Sequence, residues 1–272
     1  MDITTWGLVA LAAAALLVGF SKTAVNGANT ISLAVFAAVL PARESTGALL
    51  PLLLVGDVIA VITYRRHAHW PTLLRMFPAV AVGVGAGTLF VAWAGDTTIR
   101  RSIGAILLFM VAVTLWRRRV AARAAARDED TAQDEDEDEN AMRGEDAPGA
   151  AGTGKARLRA QSYGVAGGFT TMVANAGGPV MSLYLLSAGF RKLGFLGTSA
   201  WFFLVVNAFK VPFMVGLDLI NADSLKLDAM LALAVVLGAL VGRAAVTHIN
   251  QRLFDRLVIA ATVIGGLQLL LR

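Results

Sequence analysis

Lys22, Asn26 and Asn29 lie within GFSKTAVNGANT at residues 19–30, and Asn175, Gly177 and Gly178 lie within NAGGP at residues 175–179. An ammonium, amide side chains and glycine-freed backbone N–H groups form the donor set that a small oxyanion needs. Two further charges interrupt apolar runs: Asp57 in PLLLVGDVIAVITY and Lys210 in FFLVVNAFKVPFMVG. A charge deep in a membrane span costs about 2.5 to 3.5 kcal/mol on insertion scales, so such residues are retained for a purpose. Asp57 offers a carboxylate that can accept a proton, and Lys210 an ammonium that adds field beside an anion. The other reading of this pair is a buried salt bridge that only fixes packing. Both readings stand at this point.

Other chemistries find no foothold. The sequence has no HExxH, no phosphate-loop glycine pattern and no serine-centred elbow, so no enzyme is indicated. His67 and His69 are spaced off a single helical face and His248 is isolated, which suits interfacial side chains better than metal ligands. There are no cysteines, hence no disulfide or thiolate site. No cofactor is implied.

The elements that position these residues belong to a membrane. The chain has 272 residues, 57% of them hydrophobic, a density of apolar residues that a water-soluble domain does not carry. The net charge of +5 comes from basic residues at the ends of apolar runs, with no aromatic-interleaved basic patch, so nucleic acid is not a partner. The partners expected are a small anion and the lipid bilayer, with a homodimer permitted by the glycine-rich spans. Met1 and Asp2 provide no basic stretch before the first apolar run, which is read as a retained segment rather than a cleaved signal.

Apolar segments fall at about 6–25, 28–40, 47–64, 76–94 and 102–116, and again at 162–174, 179–190, 198–217, 228–246 and 254–271. Two sets of five indicate duplication. Gly19 to Asn29 overlie Gly168 to Gly178, with Asn26 on Asn175; Thr46 overlies Thr198, and Gly83 and Gly87 overlie Gly238 and Gly242. The expected organisation is a first transmembrane repeat over 1–116, an acidic disordered cytoplasmic linker over 117–159, and a second repeat over 160–272. The linker is assigned on its block of acids and its shortage of large apolar side chains.

Each repeat then reads as a broken or re-entrant helical hairpin followed by three spanning helices, giving an all-α protein of about 8 to 10 transmembrane segments. Basic residues assign sides. With the N-terminus outside, one face collects Arg65, Arg66, Arg75, the linker cations, Arg191, Lys192, Arg243, Arg252 and Arg256; the other holds Arg43, Arg100, Arg101, Lys226 and Arg272. The first face is therefore expected to be cytoplasmic, with both termini outside.

Unwound backbone at a hairpin tip is tolerated at membrane depth only where protein or a watery cavity surrounds it. The tips at Asn26 to Asn29 and Asn175 to Pro179 should line a cavity, with helix N-termini directed at an anion. Asn-Gly turns are also common in loops of no special function, and Gly83-x-x-x-Gly87 and Gly238-x-x-x-Gly242 read as close helix packing.

Taken together, Gly19-Phe-Ser-Lys22-Thr with Gly27, Pro51 to Asp57, Tyr64 to His67 with Trp70, Asn175 to Pro179, Gly197 to Ala200, and Asn207-Ala-Phe-Lys210-Val-Pro212 resemble the sulfite exporter TauE/SafE family, also called TSUP. The likeness runs over about 5–116 and 160–271. This chain departs from the family in its long acidic linker and in Ala24, where the family often has a second glycine after the lysine. The resemblance implies a cell-membrane transporter of sulfite, sulfonates or related sulfur-containing anions. Lys22, Asn26, Asn29, Asn175, Gly177, Gly178 and Lys210 are the expected anion-binding residues, and Asp57 the expected site of proton coupling. A passive anion channel, or a scaffold or sensor acting through the acidic linker, are the alternatives.

Overall fold

The computed structural model describes residues 4–23, 29–131, 154–190, 192–245 and 251–271. Among these, every regular element is helical. The first repeat comprises α1 (Thr5–Thr23), α2 (Asn29–Val39), α3 (Ala42–Tyr64), a 3₁₀ turn (Arg65–His67), α4 (Trp70–Trp93) and α5 (Asp96–Thr131). The second comprises α6 (Gly154–Ala174), α7 (Gly177–Ser187), α8 (Lys192–Gly216), α9 (Ala222–Ala245) and α10 (Gln251–Leu271).

Length sorts these helices. Six are long and apolar enough to cross a bilayer, at Thr5–Thr23, Ala42–His67, Trp70–Trp93, Asp96–Val120, Leu193–Gly216 and Ala222–Ala244. The protein is a multi-pass membrane protein. In contrast, α2 and α7 have 11 residues each, or about 16 Å at 1.5 Å per residue, roughly half of a hydrocarbon core of about 30 Å. Each therefore pairs with the longer helix before it as a long-and-short hairpin, as expected from the polar breaks. Trp6, Val82, Leu89, Trp93, Leu233, Leu240 and Ile264 are exposed and supply the lipid-facing surface.

The two repeats pack through a pseudo-two-fold exchange. The most extensive interfaces are α4 with α6 and α1 with α9, each joining the hairpin of one repeat to the other repeat's second long helix. Matching glycines make these crossings possible. Gly19 lies against the Val235 backbone and Gly238 against the Leu16 backbone; at the α4–α6 interface Gly168 meets Val80 and Gly83 meets Val165. At all four positions a Cβ would collide with main-chain atoms, so only glycine allows the helices this close. The α3–α8 and α5–α10 pairs face each other across the exchange.

The same exchange governs the start of α3 and α8. Gly47 packs on the Leu219 backbone before α9, while Gly197 packs on the Tyr64 and His67 carbonyls before α4. Thr198 Oγ1 accepts the His69 backbone N–H at 3.0 Å, and His69 Nδ1 lies 2.8 Å from Thr72 Oγ1. This histidine closes a turn.

One boundary differs from expectation. Residues 117–131, read as the beginning of a disordered linker, continue α5 as helix. The reason is compositional: RRRVAARAAAR consists largely of strong helix formers, and extending a helix that the span has already nucleated costs little. The rest of the expected linker up to Thr153 lies outside the described residues, as do Asn26 and Gly27 of the first tip.

Candidate functional site

The second tip shows why its sequence breaks where it does. Helix α6 ends at Ala174, and Asn175 takes φ +50°, a left-handed conformation that asparagine tolerates better than most residues. Its N–H bonds back to Thr171 O at 3.0 Å, and that of Ala176 to Thr170 O at 3.2 Å, the pairing of a left-handed helix cap. The asparagine side chain ties the tip to two other helices. Its Nδ2 donates to Thr46 O of α3 at 2.9 Å, and its Oδ1 accepts from Lys210 Nζ of α8.

Lys210 is wholly buried and satisfied. Its ammonium donates to Thr171 O at 2.7 Å, to Asn175 Oδ1 and to Asn207 Oδ1 at 3.4 Å. Three acceptors for three N–H groups call for the charged form. Asn207 Nδ2 in turn donates to Asp57 Oδ2 at 2.6 Å. The other carboxylate oxygen, Oδ1, pairs with Lys22 Nζ. A continuous polar chain thus runs Lys22, Asp57, Asn207, Lys210, Asn175, Thr46, linking both hairpins to the α3–α8 pair.

Of the two readings left open for Asp57 and Lys210, the direct salt bridge does not form. The direct counter-ion of Asp57 is Lys22, and Asn207 stands between Asp57 and Lys210. The repeats use opposite polarity at matching places: Lys22 of α1 reaches α3, whereas Lys210 of α8 reaches the carbonyl of Thr171, the residue aligned with Lys22.

Lys22 is held along its whole length. It occupies the last turn of α1, where a cation complements the carbonyl end of the helix. Its stem crosses α3 over Gly56, and its ammonium lies 4.8 Å from the centroid of the Phe203 ring. A Cβ on Gly56 would lie 2.9 Å from Lys22 Cγ. Gly56→Leu is therefore expected to push the Lys22 stem aside, carry its ammonium away from the cavity wall and lower anion affinity by at least tenfold, about 1.4 kcal/mol. Binding titration of the variant beside Gly85→Leu, a position with open space around it, checks this.

A cavity of about 490 Å³ lies against this chain. Lys22, Asn29, Asp57, Asn175 and Gly178 line it, together with Ser21, Thr30, Thr171, Ser182, Ser199, Phe203, Asn207 and Thr262. Described residues from both polar breaks thus meet at one cavity. Asn29 N–H donates to Ser21 Oγ at 3.2 Å, closing the first break, while Asn29 Oδ1 finds no partner among the described residues. Of the expected site residues, Gly177 packs against Thr171 and Lys210 stands behind the wall, so neither is in the lining. Lys210 can act on the cavity through its field alone.

The lining extends to Tyr64 at the end of α3 and to Arg117 and Arg118 of α5, toward the arginine-rich face. On the opposite side Ser45 to Leu50 are buried, with Gly47 against Leu219 and Asn175 bonded to Thr46.

Asn207 and Phe203 are the important residues that the charge pattern did not single out. Asn207 lies three residues before Lys210 on the same helix, a spacing that places both on one face. Phe203 carries no sequence signal that separates it from its apolar neighbours.

A helical multi-pass protein whose polar helix breaks and buried charges converge on one cavity has the makings of a transporter. The chain matches the family model of the sulfite exporter TauE/SafE family over residues 11–269 and belongs to that family. No curated protein and no solved structure matches it. Membership fits a membrane transporter rather than an enzyme.

Proposed function

We propose that the protein moves a small oxyanion, sulfite or an organosulfonate, by alternating access with proton coupling at Asp57. The observation that carries this reading is the Lys22–Asp57 ion pair on the cavity wall. The side chain of Lys22 is 14% exposed and that of Asp57 1%, so an arriving anion reaches the lysine and not the acid. Anion and carboxylate compete for one ammonium. An anion that takes Lys22 leaves Asp57 buried without its counter-ion, a costly state that uptake of a proton relieves. Anion and proton therefore load together. Asn29, Asn175, the backbone at Gly178 and, by sequence position, Asn26 complete the anion's shell, while Lys210 contributes field.

The cavity favours the organic members of this class. A three-oxygen anion occupies roughly the share of two liquid waters, on the order of 60 Å³. Much of the remaining wall is apolar, including Leu53, Leu107, Met110, Val111, Leu183 and Phe203. A sulfonate headgroup at Lys22 with carbon against these residues fills both parts. The basic face toward which the cavity lining extends is taken as cytoplasmic, which puts the acidic linker inside and both termini outside.

Reconstitution into liposomes tests this. Ethanesulfonate uptake is expected to saturate and to rise above equilibrium under an inward proton gradient. Flux that grows linearly with concentration and ignores the gradient identifies a passive channel. Flux that survives deletion of residues 128–146 counts against the scaffold or sensor reading.

A further inference from the structure

The two oxygens of Asp57 are held by groups of different kinds. Lys22 reaches Oδ1 from α1, and Asn207 Nδ2 donates to Oδ2 from α8 at 2.6 Å. The amide oxygen of Asn207 faces Lys210 Nζ at 3.4 Å. Lys22 and Lys210 are the charged groups acting on Asp57 among the described residues. The orientation of the Asn207 amide is fixed from both ends. Reversing it would set the NH₂ against an ammonium and the amide oxygen against a carboxylate, two mismatches in a dry site. Lys210 cannot yield readily, because its other N–H groups hold Thr171 O and Asn175 Oδ1.

A proton arriving at Asp57 therefore meets two unlike oxygens. At Oδ2 it would confront the N–H of Asn207, donor against donor. At Oδ1 it replaces an N–H of Lys22. We infer that Asn207 is a positioning residue that directs the proton to the oxygen Lys22 occupies, so that protonation of Asp57 and release of Lys22 into the cavity are one event. In that step the proton joins Oδ1, the Lys22 N–H to Oδ1 breaks and turns to the anion, and the bond from Asn207 to Oδ2 persists. Without Asn207 the proton can settle on Oδ2 while Lys22 stays paired, and proton and anion no longer load as a unit. The inference rests on the reading of Asp57 as the proton site and adds what enforces the coupling.

The test is the pH dependence of ethanesulfonate affinity in the full-length protein in nanodiscs, for the wild type, Asn207→Leu and Asn207→Ser. Ethanesulfonate keeps one fixed charge across the range, so any slope belongs to the protein. Leucine removes the directing amide at similar size; serine keeps a hydroxyl that can turn its proton either way and serves if the leucine variant does not fold. The wild type is expected to lose about tenfold in affinity per unit rise in pH in the range where loading takes up one proton. Both variants are expected to lose less than about threefold per unit over the same range. Wild-type slope preserved in a folded variant overturns the role of Asn207 and leaves the proton reading intact. A flat wild-type profile overturns that reading, and this inference with it.

Discussion

Asp57→Asn will fold, bind anion at least about tenfold more tightly than wild type at neutral pH, and lose gradient-driven accumulation altogether. The amide is close to isosteric and can still accept from Asn207 Nδ2, so the wall between α3 and α8 keeps its contact. What disappears is the competitor for Lys22. In the wild type an incoming anion must displace a carboxylate that is 1% exposed, and interactions between close charges in a desolvated site are worth a few kcal/mol. With asparagine in place the ammonium is already available, and a group that takes up no proton cannot link flux to a proton gradient. Liposome uptake with and without the gradient, beside a binding titration, checks both parts. Accumulation at the wild-type level removes Asp57 from the coupling.

Lys22→Met will have the opposite character. It leaves Asp57 buried with Asn207 as its only remaining direct partner among the described residues, and breaking a buried pair by deleting one member typically costs about 3 to 5 kcal/mol. The double variant Lys22→Met with Asp57→Asn removes both charges and is expected to recover most of that stability, because the two effects are coupled rather than additive. Ethanesulfonate binding will not recover, since the ammonium that reaches the cavity is gone. Thermal unfolding in detergent and binding on the same samples separate the two roles. Binding restored in the double variant would show that Lys22 serves packing alone.

Much of this arrangement was legible in the sequence. The polar breaks at Lys22 to Asn29 and at Asn175 to Pro179 stand out because lipid tolerates unwound backbone only under cover, and Lys22 and Asn29 of the first and Asn175, Gly178 and Pro179 of the second border the cavity. The matched glycines announced close helix crossings, and Gly83 and Gly238 provide them. The partner of Asp57 was not legible. Its place nearly level with Lys210 in the repeat register left a direct pair open, but register aligns positions within repeats and does not say which side chains meet across them. Lys22 reaches Asp57 because Gly56 leaves room for its stem, a contact separated by 35 positions that no periodicity encodes. The helical extension from Arg117 to Thr131 was hidden for a different reason: charge content argued for a solvated segment, and helix propensity and charge are independent properties.

One ammonium is shared between a carboxylate and an anion. The most direct test of this sharing is the number of protons taken up when ethanesulfonate binds, measured calorimetrically in buffers of different ionisation enthalpy with the full-length protein in nanodiscs. Near the pH at which affinity changes most steeply, the shared lysine predicts uptake approaching one proton per anion bound, and none in Asp57→Asn. Saturable binding with no proton uptake by the wild type contradicts it.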